Sequence, residues 1–152
     1  MSDIVLRRAT EADLAAIVAM LADDPLGATR EDLSEPLAES YFAAFRAIDT
    51  DPNQLLAVAE RDGAVIGTLQ LTFTPGLSRK GALRGTIEAV RVAAQARGLG
   101  LGGQMIRWAV EECRRRGCVM VQLTSDASRK DAHRFYEGLG FTASHVGFKR
   151  AL

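Results

Sequence analysis

Apolar residues recur along this chain in two periods, near two and near 3.6, and the period changes at short clusters of Gly, Pro, Asn and Asp. Residues 4–8, Ile-Val-Leu-Arg-Arg, read as a first strand. Thr10-Glu11-Ala12-Asp13 has the form of a helix cap with an acid at the third position, and it opens an amphipathic helix that runs to about residue 21. Asp23-Asp24-Pro25-Leu26-Gly27 breaks that helix, and a second one over residues 36–48 ends at Asp49-Thr50-Asp51-Pro52-Asn53. Residues 55–60 and 64–74 flank Asp62-Gly63, a two-residue hairpin signal. A polar, glycine-containing loop over 75–83 leads to a strand from residue 84 or 86 to residue 92, then the main helix over 102–116, a strand over 119–125 and a helix over 130–139. Strands over 141–144 and 146–151 complete the sheet. There is no internal repeat and no low-complexity tract. Antiparallel strands followed by a β-α-β-α-β tail predict an α+β fold, with a mixed central sheet of about six to seven strands and about four flanking helices.

The segment Val90-Arg91-Val92-Ala93-Ala94-Gln95-Ala96-Arg97-Gly98-Leu99-Gly100-Leu101-Gly102-Gly103 carries a strand through a turn into glycines, directly before the main helix. A helix begins with amide groups that lack intrahelical acceptors, and its dipole places partial positive charge there, so the segment has the makings of a diphosphate cradle. Gly98, Gly100 and Gly102 let an anion approach the main chain, and Arg97 adds a permanent cation. The plainer alternative is a glycine-rich connection from strand to helix. A P-loop would require a lysine after the glycines, and none follows. Gly98, Gly100 and Gly103 do satisfy the dinucleotide spacing Gly-x-Gly-x-x-Gly, with Asp126 near the place of a ribose-binding acid. That fingerprint normally opens a series of β-α-β units, whereas here it follows most of the strands.

Arg97-x-x-Gly100-x-Gly102 after Val90-Arg91-Val92 resembles the coenzyme A pyrophosphate loop of the GNAT superfamily of N-acetyltransferases. Ala132-His133-Arg134-Phe135-Tyr136-Glu137-Gly138-Leu139-Gly140-Phe141 resembles the second signature of the same family, a helix carrying Ala-x-x-Phe-Tyr that ends at Gly-Phe. Locally, Asp131 can start that helix and Gly140 can supply its left-handed end. The family often has Asn where this chain has Arg129, so the coenzyme contact of that position falls to Arg129 or Ser128. The resemblance covers nearly the whole chain and implies the GNAT fold.

It further implies acetyl transfer from acetyl-coenzyme A to an amine. A primary amine of pKa about 10.4 must give up about 4.6 kcal/mol at neutral pH to expose its lone pair, so a base or a water relay has to take the proton. Glu88 interrupts an apolar strand beside the expected thioester and matches the place of a glutamate base in some family members. The alternative is a carboxylate that faces solvent or pairs with Arg84 or Arg91. The amides around Val90, Arg91 and Val92 would bind the pantetheine arm as a neighbouring strand does, and Arg97, Gly98, Leu99, Gly100, Leu101, Gly102 and Gly103 would hold the diphosphate. Tyr136 is the expected proton donor to the departing thiolate and a coenzyme contact; otherwise it is a core aromatic. His133 and His145 carry no comparable signal. The acceptor would enter between residues 23–41, with Asp23, Asp24, Glu31, Asp32 and Glu35, and residues 73–84, with Arg79, Lys80 and Arg84. These charges could attract an amine and an acid group respectively, and solvated loops explain them equally well. A small amine or amino-acid-like acceptor, a protein N-terminus or a lysine all fit, as does a non-catalytic module that only binds acyl-coenzyme A.

At 152 residues the chain is expected to form one domain, residues 1–152, long enough to bury roughly 70% of the surface its unfolded form exposes. Nineteen basic residues balance nineteen acidic ones, which leaves no excess positive field for nucleic acid or an anionic membrane. Arg114-Arg115-Arg116 before Gly117 reads as charge complementing a helix C-terminus. Cys113 and Cys118 lack a metal-site pattern and read as reduced thiols, so no metal is expected. No targeting or membrane-spanning segment is evident, and the expected location is the cytoplasm. A homodimer is compatible with the sequence.

Overall fold

Five strands form one sheet in the order β1-β2-β3-β4-β5, in a computed structural model that describes residues 2–152. They are β1 (Val5–Arg8), β2 (Gln54–Arg61), β3 (Ala64–Pro75), β4 (Leu83–Val92) and β5 (Met120–Leu123). Neighbours are antiparallel except β4 and β5, which run parallel. The helices are α1 (Leu14–Ala22), α2 (Glu39–Asp49), the single turn α3 (Ser78–Gly81), α4 (Leu101–Arg115) and α5 (Lys130–Gly138). The α+β class and the mixed sheet agree with the sequence reading. The strand count does not, because residues 141–144 and 146–151 form no strand. Phe141 packs against the core, but the apolar side chains beyond it find no face to bury: Val146 is 79% and Phe148 93% exposed. The helix expected from residue 36 begins at Glu39, and the strand expected over 119–125 shortens to β5.

Asp62 and Gly63 both take positive φ, 53° and 77°, as a tight hairpin between β2 and β3 demands. Thr10 donates its N–H to Asp13 at 2.7 Å, closing the expected cap through a short 3₁₀ turn before α1. Asp13 also receives two hydrogen bonds from the Arg7 guanidinium, at 2.8 and 3.0 Å, which hold its carboxyl below the ordinary aspartate value of 3.8. A depressed carboxyl stabilises the fold above its unfolded value, and the contribution disappears as pH falls through the folded value. Asp13→Asn is therefore expected to lower unfolding free energy by about 1.5 kcal/mol at pH 7. The gap between variant and wild type should shrink below about pH 4. Urea melts at both pH values check this, and a gap independent of pH would refute the linkage.

The sheet has two unlike faces. On one, Leu69, Leu71, Phe73 and Ile87 join Met105, Ile106, Ala109 and Cys113 of α4 in the main core. Contact there is close enough that a Cβ on Gly85 would lie 2.4 Å from the sulfur of Cys113. On the other face α1 lies over β3 and β4 and α2 over β2, and Ile17 of α1 joins Val58 of β2 in a second cluster against which Leu21 and Leu56 also pack. Among the described residues no helix is long and apolar enough to cross a membrane.

Two features of β4 open the sheet on one side. Pairing with β5 runs from Arg84–Met120 to Ile87–Leu123 and stops there, although β4 continues to Val92. At the same point β4 bulges against β3: Gln70 pairs with Glu88, but Thr68 pairs with Arg91. Ala89 within the bulge has φ 53°, a left-handed conformation rare outside glycine. Beyond Ile87 the two parallel strands therefore part, and the β5-facing edge of Val90–Val92 carries no ladder.

Candidate active site

The glycine loop descends from this parted edge. Gly100 caps α4 in the left-handed conformation, φ 78° and ψ 8°, and Gly98 shares its φ of 78°. A Cβ at either position would meet nothing within 4 Å, so the loop is open on the side from which an anion would approach. The first amides of α4 follow at once, and the first backbone acceptor inside the helix is used by Gln104, which donates to Gly100 at 3.2 Å. Amides of Leu101, Gly102 and Gly103 are left pointing out of the helix end. A cavity of about 330 Å³ lies here, lined by Val92, Arg97, Gly98, Gly100, Gly102 and Phe135 among others. Gly102 has a different purpose from Gly100, because a Cβ on it would come within 3.3 Å of the Phe135 ring. It lets α5 close over the loop. Leu101 is buried in the core and Leu99 is exposed, so these two contribute main chain rather than side chain.

Arg97 is engaged within the protein. Its Nε donates to the Val92 carbonyl at 3.1 Å and its Nη2 to Asp23 at 3.2 Å, tying the loop to the end of α1. Arg91 and Arg129 meet at a second aspartate. Oδ2 of Asp24 lies 3.1 Å from Nε of Arg91 and 3.3 Å from Nη2 of Arg129, while Oδ1 accepts from the amides of Leu26 and Gly27 at 2.8 and 2.6 Å. These bonds hold the Asp24 carboxyl below the ordinary value, the Gly27 amide contributing most. In the sequence Asp24 is visible only as part of a helix-breaking cluster. Its role in joining the strand to the Arg129 loop depends on a contact far apart in the chain.

Tyr136 sits on α5, half-buried, with its ring edge-on to Phe135 at 5.1 Å and to Phe141 at 6.0 Å. Burial raises the phenol above its ordinary value of 10.0, and the positive charges of Arg91 and Arg129 oppose the rise. The group therefore stays protonated at neutral pH, as a proton donor must. α5 starts at Lys130 with Arg129 as its cap residue rather than at Asp131, which instead pairs with Arg134 inside the first turn. Gly140 does take the left-handed conformation, φ 93°.

Glu88 is exposed and makes no ion pair among the described residues; Arg91 is taken by Asp24 and Arg84 stands free. The acidic residues expected at the acceptor entrance are mostly occupied. Asp23 pairs with Arg97, Asp24 with two arginines, Glu31 accepts from the Tyr41 hydroxyl at 2.9 Å, and Asp32 from Ser34. His133 contacts the Asp126 carbonyl at 2.9 Å and His145 is exposed. Asp126 itself accepts from Ser128, at 2.6 Å from its hydroxyl.

Residues 18–141 match the model of the acetyltransferase (GNAT) family. The aminoalkylphosphonate N-acetyltransferase of Salmonella typhimurium is 31% identical over 147 residues, covering 97% of this chain and 90% of that protein. A solved structure from Bacillus halodurans C-125, described as a transcriptional regulator, is 49% identical, with a TM-score of 0.96 over 99% of this chain and 100% of the other. An acetyltransferase from Trypanosoma brucei is 29% identical, with a TM-score of 0.80 over 99% and 100% of the two chains. The parted strands, the glycine-capped helix and the tyrosine beyond it thus occur in a chain that belongs to the GNAT family, the acetyl-coenzyme A-dependent N-acetyltransferases.

Proposed function

We propose that the protein transfers the acetyl group of acetyl-coenzyme A to the primary amine of a small, amino-acid-like molecule, by direct attack in a ternary complex. The observation that carries this reading is the parting of β4 from β5 after Ile87, with Glu88 at the bulge and the protonated Tyr136 phenol on α5. The main chain of Val90–Val92 would hold the pantetheine arm in the open strand edge, and the loop from Arg97 to Gly103 the diphosphate. Arg129 replaces the usual asparagine of the family and, through Asp24, keeps positive charge near the phenol. When bound, the coenzyme supplies the acetyl thioester. Glu88 takes one proton from the acceptor ammonium directly or through water, an amide at the bulge stabilises the developing oxyanion, and as the adduct collapses the Tyr136 hydroxyl gives its proton to the departing sulfur and regains one from the nitrogen that becomes the amide. Similarity to an aminoalkylphosphonate N-acetyltransferase supports a small aliphatic amine as acceptor.

A thiol-release assay with acetyl-coenzyme A against amines, amino acids, polyamines and peptides tests the acceptor class. Glu88→Gln tests the base. It is expected to lower kcat/KM most below the pKa of the acceptor and least at alkaline pH, where free amine is abundant. A pH–rate profile of wild type and variant with one good acceptor, alongside a thermal melt, reads this. A loss equal at every pH would assign Glu88 to positioning, and no loss would leave the proton to water.

A further inference from the structure

Strand register sets a polar surface on the α1 side of the sheet, next to the bulge. Arg84, Thr86 and Glu88 alternate along β4 and so share one face. Thr72 of β3 and Gln122 of β5 stand opposite Thr86, and Gln70 stands opposite Glu88. The charges at its two ends, Arg84 and Glu88, give this surface a direction, and the amides and hydroxyls between them keep free hydrogen-bonding groups. Gln122 donates from Nε2 to the Thr86 hydroxyl at 3.2 Å, which leaves the Thr86 hydrogen and the second Gln122 N–H free to donate. Gln70 donates one Nε2 hydrogen to Oε1 of Gln54 at 2.9 Å, leaving its own Oε1 free to accept and its second N–H free to donate. Thr72 donates to the same Gln54 oxygen at 3.0 Å.

One end of the row, at Arg84, Thr86 and Gln122, presents a cation together with free hydroxyl and amide donors. The other end, at Glu88 and Gln70, presents acceptors and an anion. Arg84 is half-buried and Glu88 exposed, and neither has an ion-pair partner among the described residues. Four residues of strand separate their Cα atoms by about 13 Å, so the two charged groups stand apart at opposite ends of the row. A short ligand lying along β4 would meet both.

We propose that this row is the acceptor subsite, and that it selects a zwitterion: a primary amine at Glu88, a short carbon chain over Thr72 and Thr86, and an acid group at Arg84. The inference rests on the acetyl-transfer reading above and deepens it, by making Arg84 a residue that determines specificity. An acid group placed there receives a charge-assisted pair from the guanidinium and donors from Thr86 and Gln122. An amine lacking the acid leaves those donors and the half-buried cation unmatched, which costs affinity through desolvation without return.

The test compares three amines of equal length, β-alanine, 2-aminoethylphosphonate and propylamine, with wild type, Arg84→Ala and Arg84→Lys, in steady-state thiol-release kinetics. Wild type is expected to favour both acid-bearing amines over propylamine at least tenfold in kcat/KM. Arg84→Ala should raise KM for the acid-bearing amines at least tenfold and lower it for propylamine, which no longer leaves a half-buried cation unmatched, and Arg84→Lys should recover part of the preference. Thermal melts and coenzyme A calorimetry confirm that each variant is folded and loaded. Equal use of the three amines by wild type, or a preference that survives Arg84→Ala, overturns the subsite. Acetylation of peptides with none of the three small amines overturns the acceptor reading on which it rests, a result distinct from the loss of charge preference alone.

Discussion

Replacing Tyr136 by phenylalanine is expected to lower kcat about 10²- to 10⁴-fold while coenzyme A affinity stays within about twofold. The substitution removes one oxygen and keeps the ring that packs against Phe135 and Phe141, so the helix end should remain in place. What is lost is the phenolic proton, which an unperturbed tyrosine already keeps at neutral pH and which burial holds more firmly. A thiolate leaving without it departs as a charged group in a partly dry site, and the barrier rises accordingly. Steady-state thiol release gives kcat, and calorimetry gives the affinity. Unchanged turnover would assign Tyr136 to packing alone.

Gly100→Val should weaken coenzyme A binding about thirtyfold, some 2 kcal/mol, in a protein that still folds. Gly100 caps α4 at φ 78°, where a β-branched residue is strained. The open space around its Cα means that the side chain collides with nothing in the protein itself. The penalty falls on the ligand: either the loop relaxes and the α4 amides lose their common aim, or it stays and the isopropyl group occupies the anion's approach. Gly102→Val is the informative contrast, because it should disturb Phe135 and the melting temperature as well. Calorimetry with melts on both variants separates the two, and full affinity in folded Gly100→Val would remove the loop from the binding site.

Local chemistry explains which parts of the fold are legible in the sequence. The hairpin at Asp62-Gly63 and the glycine loop are readable because each depends on residues adjacent in sequence, whose left-handed backbone only certain residue types tolerate. The C-terminal segment misleads for the complementary reason. Phe141, Val146 and Phe148 supply the apolar spacing of strands, but strand preference is a preference for a half-buried pleated surface; Phe141 finds its packing against Tyr136 and the core, and beyond it Val146 and Phe148 lie against none. The bulge is illegible because Ala89 is not a residue that announces positive φ. Likewise the partner of Arg91 cannot be read from the strand itself. The nearby Glu88 is the natural choice, and a helix-breaking aspartate at the end of α1 takes the place. The row that includes Arg84 is partly visible, since Gln70, Thr72, Arg84, Thr86 and Glu88 fall at period two, but only register shows that they adjoin.

Ala89 has a further effect on the strand that contains it. Glu88 and Arg91 are separated by an odd number of positions, and in a regular strand they would serve opposite sides of the sheet. Here both serve the side of α1: Glu88 stands opposite Gln70, and Arg91 reaches Asp24. β4 is in effect two half-strands of opposite phase, joined at a single left-handed residue. Removing Ala89 would leave Glu88 and Arg91 two positions apart, matched to Gln70 and Thr68 two apart on β3, so it would abolish the bulge while keeping both side chains on the α1 side. A single residue inserted beside the bulge would do the opposite, turning Arg91 toward α4 and the side chains of Val90 and Val92 toward α1, so the joint that carries the left-handed residue is also the place where the strand can lose a residue without changing what lies downstream.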